Sequence, residues 1–243
     1  MQVNGYLDFH THILPGVDDG SKDMEMTKAM LMKAYEEGVR TILATSHHYP
    51  GRTKQDPEKR RDLVKQVDEI AKQISPDMKV LQGNEIYYRE SIVEELENGT
   101  VLPLADTKYV LVEFNPNEHY RRIYEGISEL IQSGYYPVIA HVERVGTLIG
   151  SRSHMKELIE MSCYMQANSG SFMGGFFDKQ SKTLLALMKE NMIHFIGSDC
   201  HNLTSRPPRM EACVKKLYKK LPKETVDQVL IYNQERFLQN KFL

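Results

Sequence analysis

Two imidazoles two residues apart, in Asp8-Phe9-His10-Thr11-His12, close the first short apolar run of the chain. In a strand, a side-chain period of two points both rings to one face, where they can hold a single metal ion. Further nitrogen and oxygen donors recur where later apolar runs stop: His47, Glu85, Glu113, His141, Asp199 and His201. Asp199-Cys200-His201 repeats the spacing of two and turns a carboxylate and an imidazole to a common face. Imidazole and carboxylate without thiolate suit Mn²⁺, Fe, Zn²⁺ or Mg²⁺, so the pattern predicts a multinuclear metal site. Taken singly, each residue also has a plainer reading. A glutamate such as Glu113 commonly sits at a solvated edge, and a histidine such as His47 commonly makes hydrogen bonds and nothing more. Of the other histidines, His154 and His194 read as structural, His48 reads as a contact just outside the ligand set, and His119 is given no ligand role.

The elements that would position these donors alternate between short apolar strands and helical patterns. Strands are expected over 3–9, 39–45, 78–83, 109–114, 136–140, 163–167 and 192–198. Helices are expected between them. One carries Met30, Leu31, Ala34 and Tyr35 on a single face and stops at Gly38; another opens with Asp56 as cap and Pro57 as first helical residue. Further helices are expected over 91–97, 120–132, 154–161 and 182–190, and two more over 209–220 and 223–231 close the chain. Continuous apolar strands alternating with helices imply a parallel sheet covered by helices. The expected fold is α/β, a (β/α)7 barrel forming a single domain over residues 1–243, ahead of a doubly wound open sheet. In such barrels chemistry sits at the C-terminal ends of the strands. His10, His12, His47, Glu85, Glu113, His141, Asp199 and His201 all follow that rule, which is stronger evidence than any one motif.

Composition sets the surroundings. With 243 residues, 41% hydrophobic and 26% charged, the chain is ordinary globular material. A net charge of −2 leaves no basic stripe for a nucleic acid or an anionic membrane. The three cysteines, Cys163, Cys200 and Cys213, are odd in number and show no CxxC spacing, which fits a reducing compartment. Without a signal-peptide pattern or a run of roughly 20 apolar residues, the expected location is the cytoplasm.

DFHTHILPGVDDG, TSHH, GNEIYY, LVEF, IAHVER, GSDCHN and SRPPRM, taken together in this order, resemble the PHP (polymerase and histidinol phosphatase) superfamily. More narrowly, EIYY, HxER and SDxHN followed by RPP resemble the bacterial PHP-type protein tyrosine phosphatases encoded with capsular and exopolysaccharide synthesis genes. The resemblance implies a distorted (β/α)7 barrel of PHP type, a trinuclear metal centre and phosphotyrosine as substrate; among the metals that the donor set suits, manganese is placed first. It places His10, His12, Glu85 and Asp199 around one metal, Glu85, Glu113 and His141 around a second, and Asp19, His47 and His201 around a third. Asp19 enters only through the resemblance, and Asp18 beside it competes for the role. The resemblance also implies that Arg144 and Arg206 hold the phosphate, which guanidinium groups do bidentately. Its implied partner is a tyrosine-phosphorylated protein, a membrane-linked bacterial tyrosine kinase with a tyrosine-rich tail. The chain departs from the family pattern after His47, where His48-Tyr49 stand in place of a more basic pair.

A tyrosine phosphate makes a modest demand on a general acid, because phenol has a pKa near 10. Asp199 and His201 are the candidate acids. Cys200 and Arg206 also match C-x5-R, the spacing of cysteine-dependent phosphatases, but the intervening residues lack the glycine such phosphate loops use. Two further alternatives are a small phosphomonoester such as histidinol phosphate as substrate, and a non-enzymatic, metal-stabilised interaction module.

Overall fold

The computed structural model describes residues 5–49, 56–175 and 177–243. The chain begins β1 (Tyr6–Thr11), α1 (Met24–Glu36), β2 (Val39–Ala44), β3 (His47–His48), α2 (Pro57–Ile74), β4 (Lys79–Gln82), β5 (Glu85–Tyr87) and α3 (Ile92–Glu97). It continues with β6 (Tyr109–Glu113), α4 (Tyr120–Gln132), β7 (Tyr136–Ile139), α5 (Gly146–Ile149), α6 (Arg152–Glu160), β8 (Tyr164–Asn168) and α7 (Lys179–Lys189). After β9 (Phe195–Gly197) come α8 (Glu211–Lys220), α9 (Lys223–Asp227) and α10 (Asn233–Leu238), the last two joined by a π turn over Gln228–Tyr232.

Local chemistry explains the helix boundaries. The Asp23 carboxylate accepts from the Met26 amide at 2.8 Å and opens α1, while Gly38, at φ +84°, ends that segment in a conformation few other residues adopt. Asp56 accepts from the Glu58 amide at 2.9 Å, and Pro57 begins α2 where its missing N–H costs nothing.

The strand pairings of the described residues are all parallel, in a sheet ordered β1-β2-β4 and a second ordered β3-β5-β6-β7-β8-β9. Residues 45–46 carry the chain from β2 into β3 and residues 83–84 from β4 into β5, so both segments change sheets. β1 and β9 meet along a seam: Thr11 and Cys200 form an isolated bridge, the His12 amide donates to the Cys200 carbonyl at 2.9 Å, and the Asp199 amide donates to the His10 carbonyl at 2.7 Å. The result is a curled parallel half-barrel in a mixed α/β fold.

Apolar side chains cover both faces of the sheet, as the continuous apolar runs require; Val110, Leu111 and Val112 are each 0% exposed. Inside the curl, Leu7, Phe9, Leu43, Leu111, Val138 and Phe195 meet, and Phe237 of α10 enters among them. Phe9 stacks on Phe195 at 3.9 Å, and Phe237 sets its ring at a steep angle to Tyr109 at 5.1 Å. The rest of the core lies between sheet and helices.

Several boundaries differ from the sequence expectation for identifiable reasons. β1 extends to Thr11, which puts His10 inside the strand; the expected start at Val3 lies outside the described residues. His47 and Glu85 do not merely follow strands but pair with each other as parts of β3 and β5. The terminal helix expected over 223–231 is broken by the π turn. There Asn233 donates to the His194 carbonyl at 2.9 Å and Gln234 accepts from the Leu7 amide at 3.2 Å, so α10 closes the N-terminal edge of β1 and β9.

Candidate metal centre

The donors come from loops and strand ends around one mouth. His10 lies in β1 and His12 just beyond it; Asp18 and Asp19 follow in the same loop; His47 is in β3; Glu85 opens β5; Glu113 ends β6; His141 follows β7; Asp199 and His201 follow β9. His10, His12 and Glu85 are fully buried. His141 and Asp199 adopt left-handed backbone, at φ 31° and 53°. Such conformations cost non-glycine residues on the order of 1–3 kcal/mol and concentrate at functional sites.

Glu85 stands at the centre. Its Oε2 lies 2.9 Å from His47 Nδ1, 3.1 Å from His10 Nε2 and 3.2 Å from His12 Nε2, and its Oε1 lies 2.7 Å from His141 Nε2. His141 Nε2 is also 3.5 Å from Glu113 Oε1. Asp199 Oδ1 approaches His12 Nε2 at 3.4 Å and His10 Nε2 at 3.7 Å. On the outer side, Asp19 Oδ1 lies 3.5 Å from His47 Nε2 and 3.3 Å from His201 Nε2. Three overlapping groups offer donor atoms within 4.8 Å of one another: His10, His12 and Glu85; His47, Glu85 and Glu113; and His12, Asp19, His47 and His201. Every residue of the expected ligand set is thus drawn into one contiguous cluster, with Glu85, His12 and His47 shared between groups.

The imidazole tautomers show that this donor set fits a cation. Gln166 Oε1 accepts from the His141 amide at 2.7 Å, while its Nε2 donates to Asn168 Oδ1 at 2.9 Å, so the oxygen faces His10 Nδ1 at 3.2 Å. His10 Nδ1 therefore carries hydrogen, which leaves Nε2 to offer its lone pair whenever the ring is neutral. The Asp18 carboxylate at 2.8 Å from His12 Nδ1 imposes the same tautomer on His12, as does the Asp199 carbonyl at 3.0 Å from His201 Nδ1. His10 and His12 consequently aim two lone pairs at each other across 3.1 Å, beside the Glu85 oxygen. Lone pairs converging on a carboxylate repel unless a proton or a metal ion lies among them.

The electrostatics agree. Burial alone would raise the Glu85 carboxyl, yet His10, His12 and His141 hold it well below the usual carboxylate range. Burial alone would lower His10 and His12, yet Glu85 and then Asp199 raise His10, and Asp18, followed by Asp199 and Glu85, raises His12. Glu113 is pushed up by burial and by the charge on Glu85. His201 is pushed down to about 4, by burial and then by His12 and Arg206.

Arg144 and Arg206 reach Asp199 from the solvent side, donating at 2.8 Å to Oδ2 and lying 2.6 Å from Oδ1, respectively. Both line a small pocket of about 160 Å³ with Asn168, Ser169 and Ser198. Cys200 is only 1% exposed, and burial drives its thiol pKa up. A buried, protonated thiol does not act as a nucleophile, so the C-x5-R reading loses its attacking atom. His194 accepts from the Met165 amide at 3.1 Å, His154 stacks on Tyr120 at 3.7 Å, and His48 lies 2.9 Å from Glu95.

Four participants were not assigned from the sequence. Asp18 orients His12, Gln166 orients His10, Asn168 donates to Asp199 Oδ2 at 2.8 Å, and Tyr49 donates to Glu113 Oε2 at 3.1 Å. Gln166 and Asn168 did leave a signal: two polar residues alternate within the otherwise apolar run of β8, and both are buried.

The model for capsular polysaccharide synthesis proteins of the CpsB/CapC type matches residues 6–239. The chain belongs to the CpsB/CapC family. This CpsB/CapC member is 36% identical over 242 residues to the tyrosine-protein phosphatase CpsB of Streptococcus pneumoniae, covering 98% of this chain and 100% of that one. It is 36% identical to the tyrosine-protein phosphatase YwqE of Bacillus subtilis, over 97% of this chain and 92% of that one. A crystal structure described as one of the unique metal-dependent tyrosine phosphatases YwqE of Bacillus subtilis and CpsB of Streptococcus pneumoniae superposes with a TM-score of 0.89 at 33% identity, over 98% of this chain and 96% of that one. The narrower resemblance carried by EIYY, HxER and SDxHN is borne out at the level of the family.

Proposed function

We propose that this chain is a metal-dependent protein-tyrosine phosphatase acting in control of capsular or exopolysaccharide synthesis. One observation carries the reading: lone pairs of His10 and His12 converge on Glu85 while two guanidinium groups stand on the adjacent Asp199. The first arrangement suits cations and the second a phosphate dianion. We read the site as one for three divalent ions, manganese ahead of iron, zinc or magnesium. His10, His12, Glu85 and Asp199 would hold one, Glu85, Glu113 and His141 a second, and Asp19, His47 and His201 the third. We also read residues 1–243 as a single domain whose β2–β3 and β4–β5 segments each count as one strand of a distorted (β/α)7 barrel.

Bound divalent metals would supply Lewis acidity and a nucleophilic hydroxide at neutral pH. Arg144 and Arg206 would leave Asp199 in part to grip the equatorial phosphate oxygens, stabilising the charge that spreads over them as the ester bond breaks. Asp199 aligns both guanidiniums for that contact, and Asn168 holds Asp199. The departing phenolate needs little protonation. The substrate would be a tyrosine-phosphorylated protein in the cytoplasm, a bacterial tyrosine kinase with a tyrosine-rich tail. No helix of the described residues is long and apolar enough to cross a membrane.

The test compares turnover of a phosphotyrosine peptide, a phosphoserine peptide and histidinol phosphate, with and without EDTA, in the native chain and in Cys200→Ser. The expected result is preference for phosphotyrosine, abolition by EDTA, restoration by Mn²⁺ and retention in Cys200→Ser. Preference for histidinol phosphate would move the substrate to small phosphomonoesters. Turnover lost in Cys200→Ser with metal content intact would restore thiolate attack, and the absence of turnover on all three would leave the interaction-module reading.

A further inference from the structure

Tyr49 directly follows β3 at the edge of the donor cluster, and its surroundings give it a chemical meaning. Its ring lies against two others, the His47 imidazole at 4.6 Å between centroids and the Tyr87 ring at 5.5 Å. Its hydroxyl donates to Glu113 Oε2 at 3.1 Å, which fixes the ring relative to the carboxylates of the centre. Tyr49 and Tyr87 are both partly exposed, so together they present aromatic surface on the Glu113 side of the mouth. The Asp199 side is different in kind: among the described residues, the pocket of about 160 Å³ beside Arg144 and Arg206 is lined by polar side chains, glycine and proline, without an aromatic ring.

Building on the phosphatase reading above, we propose that Tyr49, backed by Tyr87, receives the aromatic ring of the phosphoester's leaving group and so makes the site select aryl over alkyl phosphomonoesters. A phosphate on Arg144 and Arg206 sits at the polar edge of the mouth. Three successive contacts cross from there to the aromatic edge: Asp199 to His12 at 3.4 Å, His12 to Glu85 at 3.2 Å and Glu85 to His47 at 2.9 Å. Asp199 Oδ1 and His47 Nδ1 are therefore separated by no more than these three contacts laid end to end, short enough for one aryl phosphate ester to touch both edges. A ring placed beside Tyr49 meets the negative face or positive edge of another ring, and such pairing is worth about three- to tenfold in affinity. An alkyl ester has no counterpart to that contact. Tyr49 is therefore a specificity-determining residue, and its hydroxyl separately positions Glu113.

Two non-hydrolysable competitors isolate ring recognition from leaving-group reactivity. Benzylphosphonate and methylphosphonate, with inorganic phosphate as a third ligand, are titrated as inhibitors of p-nitrophenyl phosphate turnover by the Mn²⁺-loaded protein. The variants are Tyr49→Phe, Tyr49→Leu and Tyr87→Leu, each with its metal content measured. The native protein should favour benzylphosphonate; Tyr49→Phe should keep that preference, and Tyr49→Leu should reduce it about three- to tenfold while inhibition by phosphate stays within about twofold. Should Tyr49→Leu lose metal or fold, Tyr87→Leu decides by the same ratio. Equal inhibition by the two phosphonates in the native protein, or an unchanged ratio in the metal-loaded leucine variants, overturns the proposal. Failure of the native protein to turn over any phosphotyrosine substrate overturns the phosphatase reading instead, a distinct result.

Discussion

Asp199 receives Arg144 and Arg206 while its carboxylate also faces His10 and His12, so one side chain joins the polar edge of the mouth to its centre. The two arginine side chains are 44% and 38% exposed, and the buried Asp199 keeps His10, His12, Asn168 and the other arginine as partners when either is removed. Arg144→Ala and Arg206→Ala should therefore each lower kcat/KM about 10²- to 10³-fold. The thermal midpoint should move by no more than about 3 °C, as for surface substitutions generally. A midpoint that collapses together with activity would make these residues structural. Asp18 calls for a different measurement, because it acts through His12. Asp18→Asn replaces the acceptor that sets the His12 tautomer and should weaken metal binding about 10- to 100-fold in calorimetric titration. Unchanged affinity would remove Asp18 from the assembly that supports the centre. At this scale the sequence was legible where donors recur at strand ends. It was not legible at Asp18 and Asp19, adjacent carboxylates in one turn whose opposite assignments depend on loop geometry.

β1 and β9 approach closely because Gly197 has no side chain. A Cβ there would lie 2.5 Å from His10 Cβ and 2.7 Å from the His10 backbone nitrogen. Neither atom can yield without moving β1, so Gly197→Ala should displace His10. The expected cost is about 1–3 kcal/mol of stability, as for overpacked cores, with metal occupancy reduced in the folded fraction. Native occupancy in Gly197→Ala, read by elemental analysis after gel filtration, would show that the seam tolerates the extra methyl group. Strand and helix order was legible because apolar runs and caps are local signals: Gly38, Asp56 and Pro57 mark ends that the structure reproduces. The passages from β2 to β3 and from β4 to β5 were not, since β3 is two residues long and β5 three, too short for any periodic pattern to mark them. The π turn before α10 was equally silent, being tied to partners far away in sequence: Asn233 donates to the His194 carbonyl and Gln234 accepts from the Leu7 amide.

For the whole molecule, stability and pH are linked through a residue remote from the mouth. His194 is buried on β8's flank with Nδ1 accepting a backbone hydrogen bond, and burial pushes its pKa down to about 4 from 6.5. Below about pH 6.5 the unfolded chain binds a proton that the folded chain refuses, so stability falls as the pH drops from there to about 4 and levels off beneath it. The loss from this one group approaches about 3 kcal/mol. Denaturant titrations between pH 7 and 4 should show that slope in the native chain and a shallower one in His194→Asn; parallel slopes would exclude His194 as a source of acid sensitivity. The parallel α/β architecture could be inferred from seven alternations of strand and helix. Its curl and its closing seam could not, because they follow from long-range contacts that no local pattern encodes.

That seam also governs time. Asp8 of β1 accepts from the Ser198 amide, partners 190 residues apart, so the first histidines of the cluster are synthesised long before the residues that complete it. At about 5–20 residues per second, His10 and His12 emerge on the order of 10–40 s before Asp199 and His201. Throughout that interval the nascent chain carries imidazoles and carboxylates without the final strand that sets their geometry. Competence arrives with the last sheet contact rather than accumulating along the chain, and a polypeptide released before β9 is inactive, not merely slow.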